Sequence, residues 1–202
     1  MKKILFALLC LFVFTGSAQE ISIIPRPAEM SVNEGEFLFT GRVVVCYPEL
    51  ADKEIKNVTD NFVEEFKRTT GIKLKKSTPK KERLQGLEVT KYSKKADGHI
   101  VLHVDDSMND EEYKLSVAPK RIEIVASKPA GFFYAFQTLK QLMPRNVMAG
   151  VPDNEIKEWS VPAVSIRDKP RFGWRGFMLD EGRHFYGKEE IKKIIDVMAA
   201  YK

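Results

Sequence analysis

Apolar positions recur along this chain with two different periods, and the switches between them lay out the fold. Ile55, Val58, Phe62 and Phe66 return every three or four residues and give a helix over 51–70 one apolar face. Gly71 follows as its C-terminal stop. Phe132, Phe133, Phe136, Leu139 and Leu142 mark the buried side of a second helix over 129–143, with Pro129 at its start and Pro144 beyond its end. Between the two helices, period-two alternation predicts strands at 86–92, 99–104, 113–117 and 121–126. The turn Ala118-Pro119-Lys120 pairs the last two as a hairpin. Strands are also predicted within 37–47, broken near Gly41, and at 160–166. Residues 21–30, with Pro25 and Pro27, read as an extended lead-in, and 148–158, with Gly150 and Pro152, as a linker.

These elements predict an α+β domain over 20–150, an antiparallel sheet covered by two helices. A linker and connecting strand occupy 151–170. After Pro170 the pattern changes. Residues 174–179 form a short apolar strand interrupted by Arg175 and Gly176, and 188–202 an amphipathic helix with Ile191, Ile194, Ile195 and Met198 on one face. Strand then helix is the opening unit of an α/β barrel or a wound sheet. One such unit cannot bury both of its sides, so 171–202 reads as a truncated piece of one or the other.

The first residues obey a different rule. Lys2 and Lys3 precede an almost unbroken apolar run over 4–14, and the small residues Gly16, Ser17 and Ala18 follow. That is the form of a secretory signal peptide over 1–18, cleaved after Ala18, and it implies a periplasmic or secreted protein. A bilayer span needs about 20 apolar residues, so the run is too short for an anchor. No membrane span is expected after cleavage. Cys10 leaves with the signal, which leaves Cys46 alone, with no internal disulfide and no cysteine metal site. Cys46 lies in an apolar stretch and reads as a core residue.

The formal charge is +5, and about +3 without Lys2 and Lys3. Much of it sits in Lys73, Lys75, Lys76, Lys80, Lys81 and Arg83. With no aromatic residue among them for base stacking, this cluster reads as a solvated loop face, and no nucleic-acid partner is expected. His99 and His103 point to one face of a strand, but no third ligand is near them in sequence. Exposed histidines are expected there, and no metal site. Nothing in the sequence calls for a cofactor.

Four motifs, in order, carry a resemblance that spans nearly the whole chain after residue 20. Ile24-Pro25-Arg26-Pro27, the hairpin strand Tyr113-Lys114-Leu115-Ser116-Val117, the helix over 129–139 and the word from Pro170 to Phe185 (PRFGWRGFMLDEGRHF) together resemble family 20 glycoside hydrolases. These are the exported β-N-acetylhexosaminidases of bacteria and their lysosomal relatives. It is the resemblance of the word from Pro170 to Phe185 that implies 171–202 as the start of a truncated TIM barrel. The resemblance implies removal of terminal N-acetylhexosamine from glycans with retention of configuration. The substrate's own acetamido oxygen acts as nucleophile in place of an enzyme carboxylate. A glutamate serves as general acid, and a neighbouring aspartate orients the acetamido group.

That Asp-Glu pair is implied on a later barrel strand, beyond Lys202, so no catalytic residue is expected here and the chain alone should be inactive. Asp180-Glu181 imitates such a pair, but its surrounding word matches the first barrel strand, so Asp180 and Arg183 are expected to hold the strand-to-helix turn. The resemblance assigns Arg175 to the sugar pocket, as the substrate-binding residue. A guanidinium offers several donors in a fixed plane, and on an apolar strand it is costly without a partner. Its alternative partner is a carboxylate inside the barrel.

A different reading is a non-catalytic carbohydrate-binding or structural support domain. Sugar stacking would need exposed aromatic residues. Trp159 and Trp174 lie at or beyond the domain boundary, and the first domain offers only Tyr92 and Tyr113. No Ser-His-Asp set or phosphate loop occurs in 20–150.

Overall fold

The computed structural model describes residues 21–48, 53–84, 87–144, 147–148, 150–152 and 155–202, without the side chains of 81–89. The expected signal peptide over 1–18 lies outside the described residues. The strands are β1 (Glu29–Phe39), β2 (Val44–Cys46), β3 (Lys75–Ser77), β4 (Lys80–Leu84), β5 (Leu87–Lys91), β6 (His99–Val104), β7 (Tyr113–Ala118), β8 (Arg121–Ala126) and β9 (Trp159–Asp168). The helices are α1 (Lys53–Thr70), α2 (Pro129–Gln141) and α3 (Lys188–Ala200).

The main sheet has the order β1-β9-β7-β8-β6-β2-β3 and is mixed, which corrects the expected antiparallel sheet. Its β1, β9, β7 and β8 are antiparallel neighbours. From β8 through β6 and β2 to β3 the pairs are parallel. Alternation reports which face of a strand is buried and says nothing of direction. Direction comes from the connections: α1 carries the chain from β2 back to a parallel β3, a crossover that a tight turn cannot make. The hairpin of β7 and β8 forms as expected, with Ala118 opposite Arg121. The basic segment is not a loop, because it supplies β3 and, with β5, the separate ribbon of β4. Within it, Lys76 pairs with Asp60 at 2.7 Å.

α1 and α2 pack on one face of the sheet. Phe62 and Phe136 stack across them with ring centroids 4.3 Å apart. Beneath lie Phe37, Phe39, Ile100, Leu115, Val117, Ile122 and Ile124, all buried. α1 ends where expected: Gly71 takes φ +73°, and its N–H donates to the Lys67 carbonyl at 2.9 Å. At the start of α2 the helix comes within touching distance of the loop before β7. A Cβ on Gly131 would stand 2.5 Å from the Glu112 carbonyl oxygen. The opposite face carries a small cluster of Val44, Cys46 and Val101 beside Tyr92. There burial pushes the Cys46 thiol up to about 11.

Beyond β9 the expected strand at 174–179 is absent, and 172–187 forms neither helix nor strand. A strand's backbone groups need a ladder partner, and the described residues place no strand beside this one. α3 does form, because a helix satisfies its own N–H and C=O groups. None of its residues is buried, and Trp174, Met178 and Phe185 are also exposed.

Candidate functional site

Residues 173–177 and the end of α3 face the start of α2 across an open cleft of about 570 Å³, with Val58 of α1 and Phe133 and Tyr134 of α2 on its far wall. Phe133 thus belongs to the cleft rather than to the closed core expected of it. Arg175 lies at the edge of the cleft and reaches back to the sheet domain. Its Nη2 donates to Glu111 Oε1 at 2.7 Å and to the Tyr134 hydroxyl at 2.9 Å. Its Nη1 donates to Glu111 Oε2 at 3.3 Å and to the Phe172 carbonyl at 2.5 Å. Its Nε donates to the Lys202 carbonyl at 3.2 Å. A guanidinium has five N–H donors, and here each has an acceptor. The ion-pair partner weighed from sequence was a carboxylate inside a barrel. The structure supplies Glu111 instead, from the loop before β7.

The electrostatics follow the contacts. Hydrogen bonds from Arg175 hold the Glu111 carboxyl below its ordinary range. Burial, and then the bond to Glu111, raises the Tyr134 phenol. Tyr134 donates its own hydroxyl hydrogen to Glu111 Oε1 at 2.9 Å, so three polar groups close on one another.

A second contact lies at the end of α3. The Lys202 ammonium is buried and donates to Asp168 Oδ2 and to the Tyr113 hydroxyl, both at 2.8 Å. Tyr113 donates to Asp168 at 2.9 Å and lies 2.6 Å from the Thr138 hydroxyl. Burial lowers the affinity of Lys202 for its proton, and Asp168 opposes that. Neither Lys202 nor Asp168 stood out in the sequence, because only the fold brings positions 34 residues apart together.

Asp180 Oδ1 accepts from the backbone N–H groups of Gly182 and Arg183, each at 3.0 Å, and its Oδ2 pairs with Arg183 Nε at 2.8 Å. This is the turn-holding arrangement expected of the two. Glu181 accepts from the Tyr186 N–H at 3.1 Å. Of the aromatic residues considered for sugar stacking, Tyr113 and Trp159 are buried. Tyr92 is covered by the Arg121 guanidinium, 4.7 Å from its ring. His103 is exposed, whereas His99 is half-buried against Tyr92. Among the described residues no group of three or more His, Cys, Asp or Glu could hold a metal ion. Nor is any helix among them long and apolar enough to cross a membrane.

Residues 20–169 match the family model for domain 2 of glycosyl hydrolase family 20. The chain belongs to glycosyl hydrolase family 20. Residues 172–202 match the catalytic domain of the same family. A beta-hexosaminidase of Porphyromonas gingivalis is 30% identical over 185 residues, which is 90% of this chain and 21% of that protein. Beta-hexosaminidase subunit A1 of Dictyostelium discoideum is 27% identical over 201 residues, 100% of this chain and 34% of that protein. The solved β-N-acetylhexosaminidase of Streptomyces coelicolor superposes with a TM-score of 0.72 at 29% identity, over 89% of this chain and 33% of that one. The family 20 chain thus spans between a fifth and about a third of the length of these relatives.

Proposed function

We propose that this chain is the N-terminal part of an exported β-N-acetylhexosaminidase that removes terminal N-acetylhexosamine from glycans. One observation carries the reading: consecutive matches to domain 2 and to the catalytic domain of a single hydrolase family, in the same chain. Residues 1–18 act as the leader, 20–150 as a non-catalytic domain, 151–170 as the connection and 171–202 as the first unit of the catalytic barrel. In the reaction the substrate's acetamido oxygen attacks the anomeric carbon as the glycosidic C–O bond breaks. A glutamate gives its proton to the departing oxygen. Water then attacks the anomeric carbon from the face the leaving group vacated, giving a proton back to the glutamate as the oxazolinium opens, which retains configuration. The glutamate and its neighbouring aspartate come from later barrel strands, so residues 1–202 alone do not turn substrate over.

Arg175 is assigned to the sugar site, and its contacts favour a particular version of that role. With all five donors engaged, it can touch a hydroxyl only by releasing a partner, and the 3.3 Å bond to Glu111 Oε2 is the longest of the five. A second version has Arg175 hold the segment while Arg183 makes the contact. The Arg183 side chain is 91% exposed and is tied to Asp180 through Nε. Steady-state kinetics of the complete enzyme on p-nitrophenyl N-acetyl-β-glucosaminide separate the two. A strongly raised KM in Arg175→Lys with ordinary kinetics in Arg183→Lys supports direct contact, and the reverse supports the second version. Unchanged kinetics in both variants removes this segment from the sugar site. Turnover by residues 1–202 alone contradicts the whole assignment.

A further inference from the structure

We propose that the β4–β5 ribbon and the sheet edge beside it form a docking surface for an acidic polysaccharide, a solvated glycan chain that carries carboxylates or sulfates. The inference rests on the hexosaminidase reading for the class of partner. It deepens that reading by giving the sheet domain a preference for charged glycans.

The charge of the chain is gathered in one place. Residues 73–95 hold nine Lys and Arg against two Asp and Glu, a net of +7, whereas the whole chain carries +5. Outside this segment the chain is therefore net negative. Such a cluster of one sign raises the local concentration of anions and speeds their arrival. Every lysine of the segment whose side chain is described is exposed. Lys76 is neutralised by Asp60 at 2.7 Å. Lys73, Lys75, Lys80, Lys94 and Lys95 have no carboxylate partner among the described residues.

The fold brings these positions together. Lys75 lies opposite Val44 on β2, Val44 opposite His99 on β6, and His99 opposite Arg121 on β8. At about 4.8 Å per strand, this row sets Lys75 and Arg121 roughly 14 Å apart. Val44 belongs to the small cluster on the face away from α1 and α2, so Lys75 shares that face, whereas Lys76 turns toward α1. Tyr92 packs on the same cluster and accepts from Arg121 Nη2 at 3.2 Å. That contact carries the loop with Lys94 and Lys95 to the row. On the ribbon, Lys80 stands directly opposite Lys91. Like charges so placed destabilise a strand pair. Lysines that keep a sheet edge from pairing account for Lys75 and Lys76 on β3, but not for the opposed pair on the ribbon or for Lys94 and Lys95.

The side chains select the partner. Among those described in 71–99, no large apolar one is exposed, so the surface has nothing to insert into a bilayer. The Tyr92 ring is covered by the Arg121 guanidinium at 4.7 Å, which leaves no platform for base stacking. Lysine is depleted from protein–protein interfaces. A lysine ammonium is a hydrated point charge on a flexible stem, suited to a polyanion that stays in water.

Chondroitin sulfate, an N-acetylhexosamine polymer bearing carboxylates and sulfates, is the probe. Its binding to the complete protein at about 20 mM salt should weaken at least tenfold in Lys75→Gln/Lys80→Gln/Lys94→Gln/Lys95→Gln. In the wild type it should fade by about 0.3 M salt, where the screening length is below about 8 Å. A control with four exposed lysines changed elsewhere, Lys114→Gln/Lys128→Gln/Lys157→Gln/Lys169→Gln, should bind within twofold of the wild type. The ribbon variant should hydrolyse the uncharged p-nitrophenyl N-acetyl-β-glucosaminide with unchanged kcat/KM, and its Tm should not fall.

Equal weakening in the two variants, or none in either, overturns the docking surface. Binding to phosphatidylglycerol vesicles that the ribbon variant loses, with chondroitin sulfate binding unchanged, assigns the patch to a membrane and overturns the polysaccharide. Selective loss of chondroitin sulfate binding in a complete protein that has no hexosaminidase activity leaves the surface standing and overturns the proposed function.

Discussion

Single residues here do work that their type alone does not announce. Gly131 is required by a close approach: a Cβ would collide with the Glu112 backbone and with Ala126. Gly131→Ala should therefore destabilise by about 1–3 kcal/mol, as overpacking does, although alanine is the better helix former. A urea titration reads this directly, and a gain in stability would refute the close packing. Glu112 is held down to about 2 by Asn109 and by Arg167. Its folded value lies below the ordinary glutamate value of about 4.3. Its contribution is accordingly complete above that pH and fades as the pH falls toward about 2. The urea midpoint of Glu112→Gln should lie below wild type at pH 7, and the gap should narrow between about pH 4.5 and 2. A gap independent of pH would show that the carboxylate charge is not involved. Cys46, buried with a raised thiol, should resist a disulfide reagent at pH 8 in the folded chain and react at once in denaturant.

At the scale of elements, the stacked pair of Phe62 and Phe136 joins the two helices over the sheet. Phe136→Ala should cost about 3–5 kcal/mol. Its thermal midpoint should fall well below that of an exposed control such as Phe185→Ala, and equal midpoints would deny the pair its place in the core. The helices and the hairpin were legible in sequence because their signals are local: Ile55, Phe62 and Phe66 on one face, Gly71 at the end, Ala118-Pro119-Lys120 between two alternating runs. Strand direction was not legible. Val44 and Ile100 look the same in a parallel or an antiparallel ladder, and only the path of α1 between β2 and β3 decides. The strand expected over 174–179 fails for a related reason. Its apolar residues make a strand-like run, but a strand is completed by its neighbours.

For the whole molecule, the family was legible in the words of the sequence, whereas the junction between its two parts was not. Arg175 could be picked out as a lone arginine on an apolar stretch, yet its partners Glu111 and Tyr134 lie 64 and 41 residues away in the chain, and no local pattern links them. The same holds for Lys202 with Asp168 and Tyr113. Two cations from the region matched by the catalytic domain model thus end on acidic and phenolic groups of the sheet domain.

The reaction itself is tested most directly by asking whether the substrate supplies the nucleophile. The complete enzyme should release nitrophenol from p-nitrophenyl N-acetyl-β-glucosaminide and leave p-nitrophenyl β-glucoside, which lacks the acetamido group, unhydrolysed. Comparable kcat/KM values on the two would contradict a substrate-assisted hexosaminidase.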